Sequence, residues 1–277
     1  MGLGPVFDRE LLVAARRGGL HRDRLNLAVL LLLTIGGSEI AWWLWYEGKR
    51  SIPEMARCAE RTFALIVVGE FLITLFVVAE TVARAIAEER ARDTLDALLV
   101  TRLSDAEILL GKAAASLWSY LCWLATGVPV MALLSLYGGV DPRLVLLSYP
   151  AIVSTALLLG SMAVWVSLAA RDVRRAIGLA VIFAWFWLFL PVFMVLLVPR
   201  FLRVLSPWVM PANAWVLASS PVGVLLSLSG LVRAPGSFVY QVTWMMGLQV
   251  GAAALLLLLS LLRFHSMRAG RKQKRAT

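Results

Sequence analysis

Six long apolar runs constrain this chain more than any other feature. They are Leu25–Tyr46, Thr62–Val82, Ala113–Leu136, Leu144–Ala170, Ala176–Val198 and Val239–Leu262. Roughly 20 residues of helix cross the ~30 Å hydrocarbon core of a bilayer, and each run is long enough. Inside that core every backbone N–H and C=O must be satisfied within the protein, which leaves helices or a closed barrel. Barrel strands alternate polar and apolar residues over about ten positions. These runs do not, so the expectation is an all-α, polytopic membrane protein with six transmembrane helices. The first run is too long, and lacks the small-residue cleavage site, for a removed signal peptide.

Composition enters as an exclusion. At 60% hydrophobic and 16% charged, the chain lies outside the range of soluble enzymes, disordered chains and secreted disulfide scaffolds. Its net charge of +10 is explained by topology rather than by nucleic acid. Segments 1–24, 83–112, 171–175 and 263–277 carry 19 Lys and Arg, whereas 47–61, 137–143 and 199–238 carry 8. Cytoplasmic loops carry the basic excess. The expected protein is a multi-pass component of the cell inner or plasma membrane with both termini in the cytoplasm.

Four segments outside the spans carry information. In Pro5–Leu20, Phe7, Leu11 and Ala14 recur at helical spacing while Arg9 and Arg16 fall on another side. This pattern reads as an interfacial helix, or else as an ordinary cytosolic flank. Segment 83–112 holds five basic and six acidic residues yet also Leu95, Leu98 and Leu99. Asp93 can cap a short helix there, and Ser104 with Glu107 forms a capping box that starts helix three near Asp105. Segment 199–238 has prolines and the short apolar stretch Val222–Leu228, which suggests short or re-entrant helices at the outer mouth. The tail 263–277 has six basic residues and no acid, a pattern suited to anionic lipid. The whole chain reads as a single transmembrane domain.

Several chemistries have no residues to perform them. The two histidines, His21 and His265, lie in the flanks, and Cys58 and Cys122 cannot build a disulfide framework. No catalytic, metal or cofactor site is expected, nor a phosphate loop: Gly111-Lys112 lacks both the preceding glycine and the following hydroxyl residue. Three carboxylates fall within apolar runs. Glu80 has Arg84 one turn on and reads as a local pair. Glu39 and Glu70 are expected at a common depth, slightly to the outer side of the midplane. Ionisable residues there face a bundle interior or a pathway, so the two are candidate pathway residues; the alternative is a protonated acid bonded to a neighbouring helix. Pro129, Pro150 and Pro191 could kink helices. Gly247 and Gly251 form a close-packing GxxxG, usable within or between chains.

The run Glu88-Glu89-Arg90 through Thr94-Leu95, Leu98-Leu99, Leu103-Ser104 and Gly111-Lys112 resembles the signature of ABC-2 type transporter permeases. It departs at Asp93, where glycine is usual, and at Arg102, where proline is usual. Phe7-Asp8-Arg9-Glu10-Leu11 resembles the family's start. The resemblance implies the transmembrane subunit of an ATP-binding-cassette transporter, commonly an exporter and not itself an enzyme. It also implies a separate ATPase subunit, a second permease subunit, and a coupling helix formed by the segment after span two. The residues expected to couple are Glu89, Arg90, Thr94, Leu95, Leu98 and Leu99. The competing reading is an ion-coupled secondary carrier that uses Glu39 or Glu70.

Overall fold

The computed structural model describes residues 5–16, 19–45, 51–91, 104–136, 140–170, 172–201 and 238–276. These form α1 (Pro5–Arg16), α2 (Gly19–Trp45), α3 (Ile52–Ala91), α4 (Asp105–Leu124), α5 (Gly127–Leu136), α6 (Pro142–Ala169), α7 (Val173–Phe201) and α8 (Phe238–Ala276). Among the described residues there is no strand. Six helical segments are long and apolar enough to cross a membrane. They are α2, α3, the pair α4–α5, α6, α7 and α8, hereafter helices one to six. The expected coupling helix (Thr94, Leu95, Leu98, Leu99) and nearly all of the outer segment lie outside the described residues.

Helix four is the axis of the bundle. Of its most apolar stretch 78% is buried, against 11% for helix one. Its buried face is built from small residues, among them Ala151, Ser154, Thr155, Ala156, Ala163 and Ser167. In lipid, where apolar burial between helices gains little, such residues let backbones approach and dispersion contacts accumulate. Serine and threonine hydroxyls on this face are bonded within the protein: Ser154 and Thr155 donate to Gln249 Oε1 of helix six at 2.7 and 3.1 Å, and Ser167 donates to the Ala83 carbonyl of helix two. Among the described residues nothing lies within 4 Å of where a Cβ of Gly247 or Gly251 would stand.

Helix two runs well past its apolar stretch. The hydropathy boundaries predict Thr62–Val82, but the helix spans 40 residues, Ile52–Ala91, or about 60 Å at 1.5 Å per residue. Its flanks are polar but rich in Ala, Glu and Arg, good helix formers with no glycine or proline to end the helix on the side of the signature motif. At the other end Ser51 caps it, with the Glu54 carboxylate accepting from the Ser51 amide and hydroxyl.

Helix three is interrupted at Ala125–Thr126. Pro129 explains where: it has no N–H for the Ala125 carbonyl, and its ring crowds the carbonyl four residues back. The backbone tightens instead, with Thr126 N–H donating to Trp123 and Val128 N–H to Ala125. Pro150, by contrast, lies inside a continuous helix. The expected start of helix three holds as well: Ser104 accepts from the Glu107 amide, and Glu107 accepts from the Ser104 amide at 2.8 Å.

Candidate functional site

Two charged centres lie on helix two, and they are built differently. The first is at the end that leads into the signature motif. Lys112 is 7% exposed, and its ammonium donates to Glu89 Oε1 at 2.8 Å and to Glu10 Oε1 at 3.1 Å. A buried ammonium is tolerable only when paired and hydrogen-bonded, and here two carboxylates from two other helices supply the pairing. Arg90 points the other way. Its guanidinium donates to the carbonyls of Leu168 and Ala170 at 2.8 and 2.9 Å, the acceptors left open at the end of helix four. This is cationic capping of a helix C-terminus by a residue 78 positions distant.

The Glu-Arg and Gly-Lys pairs of the sequence signature are therefore one spatial node. It ties α1, helix two, helix three and the end of helix four together. Gly111 contributes by its lack of a side chain: Val6 and Phe7 of α1 lie 3.4 Å from where its Cβ would stand. Glu10 is a node residue that sequence reasoning left without a role. The Phe-Asp-Arg-Glu-Leu run was its only signal, and no periodicity connects residue 10 to residue 112.

The second centre is Glu70, 1% exposed, ten residues above Glu80 and hence about 15 Å away along the helix. Among the described residues neither of its carboxylate oxygens has a hydrogen-bond partner, and nor does the hydroxyl of neighbouring Tyr149. Both converge on Gly127, the first residue after the break in helix three: a Cβ there would stand 2.6 Å from Glu70 Oε1 and 2.9 Å from the Tyr149 hydroxyl. Thr74, one turn along, donates to the Glu70 carbonyl and shares a hydrogen bond of 2.5 Å with Tyr120. The broken helix, the missing side chain and the buried acid thus coincide. Sequence reasoning identified Glu70 and Pro129 but not Tyr120, Tyr149 or Gly127, because no local pattern brings them together.

Glu39 is elsewhere. It is half-buried beside Cys58, whose thiol donates to its Oε1 at 4.0 Å. Cys58 is twelve residues from Glu70 on the same helix, about 18 Å. The common depth expected for the two acids is therefore not found. Helix one is anchored low in the bundle, where Trp123 Nε1 donates to the Asp23 carbonyl at 3.1 Å. Glu39 consequently falls in its last two turns. Glu80 pairs with Arg84 one turn on, as expected. Among the described residues no group of His, Cys, Asp and Glu could hold a metal ion.

Among curated proteins, none matches this chain. A family profile described as ABC-2 family transporter protein matches residues 46–269, most of the chain and all of the node except Glu10. With six helices among the described residues able to span a bilayer and a family profile covering most of it, the chain belongs to the ABC-2 transporter family, as a multi-pass transmembrane permease.

Proposed function

We propose that this permease forms the translocation pathway of an exporter driven by ATP hydrolysis on a separate ATPase subunit, with a second permease subunit completing the pathway. Residues 94–101 form the coupling helix, and Leu95, Leu98 and Leu99 enter a groove on the ATPase. The supporting observation is the node. Glu89 and Arg90 precede that segment and Lys112 follows it, and all three are bonded to other helices. A push on the segment is then passed to α1 and to helices two, three and four together. Both termini are cytoplasmic, and the basic tail contacts anionic lipid. Glu70 belongs to the pathway. The competing reading is an ion-coupled secondary carrier using Glu39 or Glu70; transport that needs a proton or sodium gradient and no ATPase partner would favour it.

Two experiments test this. Leu95→Ala with Leu98→Ala removes about 2–5 kcal/mol per buried leucine, enough at 1.4 kcal/mol per decade to weaken docking by orders of magnitude. The double variant should insert normally yet neither copurify the ATPase nor transport. Normal copurification and transport would remove the coupling role. For orientation, Cys58 is too buried to be a good label site. Ile52, at 84% exposure, replaces it: Ile52→Cys in a chain lacking both native cysteines should react with an impermeant thiol reagent on intact cells.

A further inference from the structure

Helices one, two and three enclose a cavity of about 490 Å³ near the start of helix one. Asp23 lines it, and among the described residues that carboxylate has no ion-pair partner. No lysine or arginine lines it. Arg22 and Arg24 flank Asp23 in sequence, but successive residues of a helix point about 100° apart, and neither reaches the wall. A second cavity of similar size at the far end of helices one and two has Arg57 and Arg61 against one carboxylate, Glu54, in its lining. The sign of charge is therefore specific to the first cavity and not a general property of the helix pair.

Its remaining walls suit an amphipathic guest. Tyr120 and Trp123 form an aromatic pair with centroids 5.7 Å apart, and the indole is held by its bond to the Asp23 carbonyl. Leu27, Leu30 and Val77 supply an apolar side. Behind Tyr120 stands Thr74, which bonds its hydroxyl and the backbone carbonyl of Glu70 one turn back. A cavity with a carboxylate in its lining and two aromatic side chains beside it attracts positive charge, both directly and through the aromatic quadrupoles.

We propose that this cavity binds the head of an amphipathic organic cation, such as a lipophilic amine or phosphonium, and that such cations are the substrate class of this permease. The inference rests on the permease reading and adds the chemistry of the cargo. The apolar body of the guest lies along Leu27 and Leu30, and its charge sits between Asp23 and the Tyr120–Trp123 pair.

The test uses two probes of the same shape and opposite charge, tetraphenylphosphonium and tetraphenylborate. Each is measured by equilibrium dialysis against the full chain in phosphatidylcholine nanodiscs, with empty nanodiscs subtracted. The phosphonium should bind saturably and the borate should not. Asp23→Asn should weaken phosphonium binding at least tenfold, and Asn26→Asp, which adds a second carboxylate to the same lining, should tighten it. The gain in the second variant guards against a loss caused by misfolding. Equal binding of both probes, or phosphonium binding indifferent to both substitutions, overturns the proposal. Copurification of the ATPase with the same preparation is scored separately, so a permease that holds its ATPase but ignores the phosphonium refutes the cargo class alone.

Discussion

The two charged centres of helix two are 19 residues apart and obey opposite rules. At Glu89–Arg90 the formal charges are matched: Lys112 has two carboxylates, and Arg90 has the open carbonyls of helix four. At Glu70 a more deeply buried acid has, among the described residues, no partner for either oxygen. Satisfied networks rigidify a structure. An unsatisfied buried group is costly, and in a membrane bundle it marks a pathway or a relay. In the function proposed above, the first centre transmits mechanical force and the second interacts with cargo.

The sharpest way to break this comparison is to remove the ammonium at its centre. Lys112→Met removes the ammonium that Glu10 and Glu89 share, and loss of one member of a buried ion pair costs about 3–5 kcal/mol. Both carboxylates are partly exposed, at 37% and 26%, so the lower end applies. Thermal unfolding in detergent should show a clear loss of stability, and α1 should become sensitive to protease. Unchanged unfolding would mean that the node transmits nothing.

The next test probes the space at Gly127. Gly127→Ala places a methyl group 2.6 Å from Glu70 Oε1, and overpacking of this kind costs about 1–3 kcal/mol. Glu70→Ser empties that space, so the double variant should recover most of the loss. Failure of the second substitution to rescue the first would show that the contact does not constrain the helix break.

Glu70→Gln separates fold from function at the second centre. The amide is nearly isosteric, so unfolding should move by less than about 1 kcal/mol while transport falls at least tenfold. Full transport would leave Glu70 as a tolerated buried acid. The smallest effect belongs to the surface pair. Glu80→Gln removes a half-exposed contact to Arg84 worth about 0.3–0.5 kcal/mol, and both stability and transport should be nearly unchanged. A large effect there would place function at the membrane interface rather than at Glu70.

Local chemistry was legible in the sequence wherever it depends on neighbours along the chain. The six spans, the Ser104–Glu107 capping box, the Glu80–Arg84 pair and the signature run are all of that kind. Hydropathy could not give the ends of helix two, because helix formation continues through polar residues after apolarity stops. Nor could it give the depth of Glu39, which depends on where Trp123 anchors helix one.

The sequence by itself determined the number of membrane helices, their all-α character and the family. Bilayer thickness and backbone hydrogen bonding leave few alternatives for runs of this length. Only the tertiary structure decided which charges meet. It brought Glu10 to Lys112, Arg90 to the end of helix four, and Tyr149 and Gly127 to Glu70. Pairings across a hundred residues are set by which helix faces pack together, and packing between apolar helices follows small-residue contacts that leave no periodic trace along the chain.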